Sequence, residues 1–583
     1  MDFPLTLPEL FAASLARHGD RPAVGDDGTT LTYTELDTRS DLLANALLRD
    51  GVRVGENVGI CLDRGALVVV AMLAVAKAGA AYLSIDADYP AARRDLMARD
   101  GAVRFMITHT GWASRVPDGV EPLEWDLDTT GEAVPVHVRV EPEDAACVLY
   151  TSGSTGEPKG IVFEHRNIAA LAVNPSLPKL GPDDKVGQIS STSFDGITLE
   201  VWAALAAGAE IVVLPRMSSL LPIDLAQELK RRKVSMMLVP ATVLNEVCRV
   251  DRDTFSSLRH LCSGGDVILP ATCRALLGGK FTGDLYNLYG PSEITTAATA
   301  HRIVEVPDDA EAIPIGTAID GYETYVVDED MRPVRRGEPG ELLIGGIGVA
   351  RGYLGAARLT AQRFVPSPFG SPGTRVYATG DRVREDEAGE LAFLGRLDGQ
   401  YKIRGHRVEP AEVERALSRH PRVRQAAVLV EEFDGDRRLA GFVVPVSGDL
   451  STAELREFLV DALPKHMVPA SLTVIGKMPT TGNGKRDWDA LSELRRRAAV
   501  RSASRVEPTT DTERWLVSLW ERVLGVDDVG AEDDFFLLGG HSLLAFRART
   551  AIVREFGVKV DSHVLFEHST LRELALVIEE AKK

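Results

Sequence analysis

At 583 residues, with 45% hydrophobic and 26% charged side chains, the chain is too long for one core and has the composition of a globular protein of roughly two to four domains. A formal net charge of −19, from 85 acidic and 66 basic residues, argues against a nucleic-acid binder. The cysteines, Cys61, Cys147, Cys248, Cys262 and Cys273, are odd in number and contain no Cys-x-x-Cys pair, so reduced thiols, a cytoplasmic location and no zinc site are expected.

The first residues, Met1-Asp-Phe-Pro-Leu-Thr-Leu-Pro8, lack the basic stretch and apolar block of a signal peptide. Residues 7 to 50 read as helix, strand, helix, with Thr34 as the expected cap of the second helix. Ala66 to Leu83 is nearly all apolar. Lys77 and Gly79 interrupt it and strand-like Ala81 to Ile85 follows, so a buried helix and strand are expected rather than a membrane span. Asn57 to Leu62 and Val103 to Thr108 add strands. This alternation predicts an α/β fold with parallel sheets covered by helices.

Ala145 to Tyr150 reads as a buried strand. It runs into Thr151-Ser-Gly-Ser-Thr-Gly-Glu-Pro-Lys-Gly160, a loop rich in glycine and hydroxyls. Gly153 and Gly156 let backbone amides approach a ligand closely, and Lys159 adds a mobile positive charge, which together suit phosphate oxygens. The pattern is not a Walker loop, because Pro158 precedes the lysine and Gly160 follows it. The string from Leu149 to Gly160 instead resembles the phosphate loop of the adenylate-forming superfamily, which contains acyl-CoA synthetases, luciferases and the adenylation domains of nonribosomal peptide synthetases.

Further along, Ser193-Phe-Asp-Gly-Ile-Thr-Leu-Glu-Val-Trp202 places Asp195 among apolar neighbours. A carboxylate there suits either a substrate ammonium or the N-cap of the next helix; spacing leaves both open. Leu261-Cys-Ser-Gly-Gly-Asp266 and Leu285-Tyr-Asn-Leu-Tyr-Gly-Pro-Ser-Glu-Ile294 each read as a strand ending in a turn. The glycines of Gly340 to Tyr353 fit a small barrel-like sheet, with no chemistry assigned. Tyr377-Ala-Thr-Gly-Asp381 follows. Gly395 to Glu409 is dense in charge and glycine and marks a boundary, and a compact unit then ends at Pro479-Thr-Thr-Gly-Asn-Gly-Lys-Arg-Asp487. Residues 498 to 511 lack apolar periodicity and read as a linker. The last unit has helical spacing through Trp515, Leu519, Trp520 and Val523, then Asp533-Asp-Phe-Phe-Leu-Leu-Gly-Gly-His-Ser-Leu-Leu544, and suits a small bundle.

Taken in order, these motifs resemble an adenylation domain of a nonribosomal peptide synthetase fused to a peptidyl carrier protein. The resemblance implies a large core domain at 1–397 (parallel sheets with helices plus a barrel-like sheet), a small α+β lid at 398–498, a linker at 499–511 and an all-α four-helix carrier at 512–583. It implies ATP contacts from Thr151, Ser152, Gly153, Ser154, Thr155, Gly156, Lys159, Gly264, Gly265, Asn287, Tyr289, Gly290, Ser292, Asp381 and Arg396. Gly264 and Gly265 would line the adenine, Tyr289 stack on it, and Asp381 accept the ribose hydroxyls. Glu293 would bind Mg²⁺, Lys485 would be the catalytic lysine and Asp398 the hinge of the lid. Ser542 would carry 4′-phosphopantetheine at a helix N-terminus, which favours its phosphodiester. The family has Thr more often than Ser at 292, and Arg486-Asp487 inverts the usual order after the lysine.

The implied reaction activates an amino acid as its adenylate, releasing pyrophosphate, and passes it to the carrier thiol with release of AMP. Asp195 would grip the α-amino group. The resemblance lines the pocket with Asp195, Gly196, Leu199, Leu238, Cys262, Gly264, Leu288, Thr296 and Ala297, with Lys485 at the carboxylate, which points to a neutral apolar or aromatic α-amino acid. An acyl-CoA or aryl-acid ligase of the same superfamily is the alternative; Asp195 and the carrier argue against it. A phosphopantetheinyl transferase is an implied partner, with an MbtH-like protein and downstream condensation or tailoring enzymes as further candidates, and no membrane partner. No condensation or thioesterase motifs flank the unit, so a loading or free-standing module of secondary-metabolite (antibiotic) biosynthesis is expected.

Overall fold

The apolar runs of the first half form two large mixed sheets whose parallel cores are built by strand–helix alternation. The computed structural model describes residues 6–131, 133–153, 157–215, 222–397, 400–403, 406–433, 436–448, 450–480, 486–499, 506–526, 528–536, 538, 540, 542–558, 560 and 564–582. The chain divides into two units, one made mostly of residues up to 399 and the other mostly of residues 400–583.

In the first unit, a seven-stranded sheet runs in the order Gly352–Tyr353, Lys159–Glu164, Ala145–Thr151, Ala81–Ser84, Asn57–Cys61, Phe105–Thr108 and Glu121–Glu124. The pairs from Ala145–Thr151 through Glu121–Glu124 are parallel, and Lys159–Glu164 is antiparallel to both its neighbours. A nine-stranded sheet runs Thr317–Ala318, Thr299–Ile303, Asp284–Tyr289, His260–Gly264, Met236–Pro240, Lys185–Gln188, Glu210–Val213, Pro22–Gly25 and Thr30–Thr32. The helices Leu7–His18, Tyr33–Arg49, Ala66–Lys77 and Gly196–Ala207 contribute to one continuous apolar core with both sheets. The helix Ala66–Lys77 buries every residue except Lys77, which explains its lack of a polar face. Among the described residues no helix is long and apolar enough to cross a membrane.

The second helix is capped by Thr32 rather than Thr34. Thr32 Oγ accepts from the Glu35 amide at 3.2 Å while the Glu35 carboxylate accepts from the Thr32 amide at 2.8 Å. The expectation of Thr34 missed this because a short strand, Thr30–Thr32, runs directly into the helix and the reciprocal box forms at their junction. The glycine-rich stretch splits between two sheets. Pro339–Gly346 belongs to a five-stranded antiparallel sheet with Tyr322–Val327, Phe364–Pro366, Arg375–Glu385 and Leu391–Arg396, whereas Gly352–Tyr353 pairs with Ile161 and Val162.

In the second unit, Val423–Phe433, Asp436–Pro445 and Ser471–Val474 form a three-stranded sheet, packed with the helices Pro410–Ser418 and Thr452–Ala462 around a separate core. Behind it, Asp511–Leu524, Ser542–Phe556, Val564–Glu567 and Leu571–Ala581 enclose a third core that includes Trp520, Phe535 and Leu574. The first of these helices opens with a Thr510–Glu513 capping box, one residue inside the expected linker. Gly540 is held so close to Phe535 that an added Cβ would lie 2.2 Å from its ring. This explains a glycine immediately before the helix that Ser542 opens.

Candidate active site

The expected phosphate loop is the connection of a hairpin. Ala145–Thr151 pairs antiparallel with Lys159–Glu164, and Thr151 lies opposite Lys159. Lys159 is therefore the first residue of the return strand, where the sheet fixes its direction. Its Nζ donates to Glu293 Oε1 at 2.9 Å and to the Tyr353 hydroxyl at 3.1 Å, and Tyr353 donates to the same carboxylate oxygen at 2.7 Å. The glutamate is fully buried and the lysine nearly so. Glu293 sits on the short 3₁₀ turn Ser292–Ile294, and its carbonyl accepts a hydrogen bond from the Ala350 N–H at 3.0 Å. The turn ends in two β-branched residues with left-handed backbone, Thr295 at φ 64° and Thr296 at φ 66°, a conformation that costs on the order of 1–3 kcal/mol each. Their hydroxyls are both used: Thr295 donates to Gly348 O at 2.9 Å and Thr296 to Asp195 O at 3.0 Å.

Asp195 occupies the N-cap position of the helix Gly196–Ala207, yet its side chain makes no cap hydrogen bond. Ser292 Oγ donates to its carboxylate instead. One buried carboxylate thus faces the turn that carries the other: Ser292 reaches Asp195, and its neighbour Glu293 is the second carboxylate, held by Lys159 and Tyr353. Asp195 itself is only 8% exposed.

Asp381 is gripped from two sides. The Tyr289 hydroxyl donates to one oxygen and Arg396 Nη1 to the other, the latter at 2.5 Å. Burial, then the Asp381 charge, pushes the Tyr289 hydroxyl well above its ordinary pKa, so it stays protonated and able to donate. Asn287 donates to Pro314 O at 2.7 Å. At Gly264 an added Cβ would lie 2.3 Å from Leu288 O, and Gly265 has φ 78°, so both positions require glycine. The Thr151 and Ser263 hydroxyls are buried and find no partner among the described residues.

The expected pocket residues converge on one sheet face. Leu238 pairs with Cys262 and Gly264 with Leu288, and the period of two puts Leu238, Cys262, Gly264 and Leu288 on the same side. Gly196 faces Leu238, with an added Cβ 3.3 Å from its Cδ2, so helix Gly196–Ala207 packs over this face. Thr296 meets the helix through Thr198 Oγ at 2.9 Å, and Ala297 is fully buried. Burial pushes the Cys262 thiol up to about 12, so it packs as a small neutral group. Asp398, Lys485 and the loop residues Ser154, Thr155 and Gly156 lie outside the described residues, as does the Ser542 side chain. Ser152 and Gly153 flank the loop on its N-terminal side.

Sequence reasoning missed three residues here. Tyr286 pairs with Cys262 and shares the pocket face, which strict alternation from Leu288 could have found. Tyr353 ends a stretch to which no chemistry was assigned, and nothing local ties it to Lys159. Glu200 is a lone acid in the otherwise apolar helix 196–207 and is fully buried; a charge inside an apolar helical run was a readable signal.

A hairpin loop ending in a lysine paired to a buried glutamate, a second carboxylate beneath a glycine-flanked turn, and a separate helical unit with a serine at a helix start together define an adenylate-forming ligase core followed by a carrier. The chain belongs to the AMP-binding enzyme family, whose model matches residues 11–354; the AMP-binding enzyme C-terminal domain matches 412–485 and the phosphopantetheine attachment site 514–578. Its domain set is that of a nonribosomal peptide synthetase adenylation domain, an AMP-forming, ATP-using ligase, with a carrier domain for 4′-phosphopantetheine. It is 36% identical over 586 residues to gramicidin S synthase 2 of Aneurinibacillus migulanus, matching 99% of this chain and 13% of that protein. It is 38% identical over 580 residues to phosphinothricin tripeptide synthetase PhsC of Streptomyces viridochromogenes, matching 98% of this chain and 52% of that one. The chain therefore spans only part of the length of these relatives. The solved structure of holo-PA1221, described as an NRPS protein containing adenylation and PCP domains, superposes with a TM-score of 0.86 at 29% identity, covering 99% of this chain and 97% of that one.

Proposed function

We propose that the chain activates a neutral apolar or aromatic α-amino acid with ATP and loads it on its own carrier domain in peptide biosynthesis. The observation that carries this reading is Asp195: a buried carboxylate at a helix start that leaves its own helix uncapped and turns to the Ser292 hydroxyl. A buried carboxylate so placed attracts a substrate ammonium, which an aryl or fatty acid lacks. The wall of Leu199, Leu238, Leu288 and Cys262 favours an uncharged side chain, and the Tyr286 and Thr296 hydroxyls leave room for a phenolic one.

Around ATP, Asp381 takes the ribose hydroxyls, presented by Tyr289 and Arg396, and the Gly264–Gly265 turn accommodates the adenine. The Thr151 hydroxyl, buried without a partner among the described residues, and Lys159 stand opposite each other where the hairpin loop that would take the phosphates begins and ends. The buried carboxylate of Glu293, held here by Lys159 and Tyr353 at one oxygen, would hold Mg²⁺, a hard cation that would supply charge neutralisation for the phosphates. Lys485 offsets the repulsion between the substrate carboxylate and the α-phosphate, and the lid turns about Asp398. Pantetheine on Ser542, installed by a phosphopantetheinyl transferase, supplies the thiol for thioester formation.

The test is amino-acid-dependent exchange of labelled pyrophosphate into ATP across the standard amino acids and common aryl acids, repeated with an MbtH-like protein. Exchange with an apolar or aromatic amino acid is the expected result. Exchange only with acids that lack an amino group would refute the assignment of Asp195. Intact mass after treatment with a transferase and coenzyme A should rise by one phosphopantetheine, and Ser542→Ala should abolish that rise.

A further inference from the structure

Glu200 lies one turn and a half beyond Asp195 on the same helix, fully buried in an otherwise apolar run. Its carboxylate reaches back to the segment that leads into Asp195. It accepts from the Ile189 amide at 3.3 Å, the Ser190 amide at 3.2 Å and the Ser190 hydroxyl at 2.9 Å. The same segment is pinned at further points: Gln188 Nε2 donates to Ser190 O at 2.7 Å, Arg64 to Ile189 O at 3.0 Å, Ser191 Oγ to Asp86 at 2.6 Å and Ser193 Oγ to Ser84 O at 3.1 Å. Ser190 Oγ would lie 2.8 Å from a Cβ at Gly196, so the held serine also packs against the first residue of the helix.

The turn from Ser190 to Asp195 is therefore closed into a ring: helix to Glu200, Glu200 to Ser190, and chain back to Asp195. A short turn that carries a binding carboxylate holds its geometry only if its own backbone donors are satisfied, and two of the amides at its base have Glu200 as acceptor. We infer that Glu200 is a positioning residue for the ammonium site, fixing the Asp195 carboxylate through the Ser190 turn. This rests on the reading of Asp195 given above. Burial raises the Glu200 carboxyl to about 7, in keeping with a group kept in a dry site for its acceptor capacity rather than for solvation.

The experiment uses the full chain with the amino acid found in the exchange panel, at pH 8, and compares Glu200→Met, Glu200→Gln, Ser190→Ala and Asp195→Asn. KM is measured for the amino acid and for ATP, together with inhibition by the deaminated analogue of the same side chain. Glu200→Met should raise the amino-acid KM at least about tenfold, with the ATP KM and the inhibition constant of the deaminated analogue within about twofold. Glu200→Gln, which keeps one acceptor oxygen, should recover most of the loss, and Ser190→Ala should raise the amino-acid KM about threefold even if the methionine variant does not fold. Parallel weakening of the deaminated analogue, or an unchanged amino-acid KM in Ser190→Ala together with a folded Glu200→Met, would overturn the role of Glu200. An unchanged amino-acid KM in Asp195→Asn would instead remove the ammonium site itself, whatever Glu200 does.

Discussion

Asp195 and Glu200 are two carboxylates of one helix placed in opposite circumstances. Asp195 stands where a cap would stand and does not cap, so replacing it leaves the helix termini as they were. Asp195→Asn should raise the amino-acid KM by about a hundredfold, the scale of a lost buried charge contact, with an unchanged ATP KM and melting temperature. Glu200 has a pH signature of its own. Its carboxyl titrates near 7 in the fold against 4.5 in the unfolded chain, so between those values the folded state holds the extra proton. Stability contributed by this group is present below pH 4.5 and lost as pH rises through 7, by roughly 3 kcal/mol in total. Urea midpoints from pH 4.5 to 8 should fall more steeply in the native chain than in Glu200→Gln. An equal pH slope in both would contradict the assignment.

Among the secondary-structure elements, much of the site was readable because its residues sit at ends of strands that apolar runs mark clearly. The strand His260–Gly264 and the strand Asp284–Tyr289 end at the turns whose glycines and tyrosine the sequence singled out. Cross-strand partners were not readable, since register is set by pairing over long sequence separations: Tyr353 reaches Lys159 because its two-residue strand docks beside Ile161 and Val162. The helix cap shows the same limit at short range. Thr32 and Thr34 are equally good cap residues by type, and only the strand that precedes them decides between them. Thr32→Ala should destabilise the large domain by about 1 kcal/mol, and Thr34→Ala by much less, as read from denaturant midpoints.

At the scale of the whole molecule, the apolar clusters of the large domain, the part built on the three-stranded sheet and the helical carrier share no buried residue. Each core can therefore lose its packing without emptying another. Calorimetry of the full chain should resolve more than one transition, and Ser542→Ala should leave all of them in place. A single sharp transition would mean that the cores unfold together. The sequence reading drew its boundaries at the charge-dense and unpatterned stretches that separate the apolar ones. Lys485 and Asp398, proposed as the catalytic lysine and the hinge, fall at such stretches and lie outside the described residues.

The seven-stranded sheet carries a consequence for how the protein is made. Its hairpin strand Lys159–Glu164 is left as a sheet edge until Gly352–Tyr353 arrives to pair with it, nearly two hundred positions later in the chain. On the ribosome that edge waits uncovered while the intervening strands are synthesised. A fragment ending at residue 345 should then be recovered mainly as aggregate, whereas one ending at 397 should be soluble, as gel filtration of the two would show. Any exchange of the large domain between synthetases should therefore keep Gly352–Tyr353 in the same piece as Lys159–Glu164.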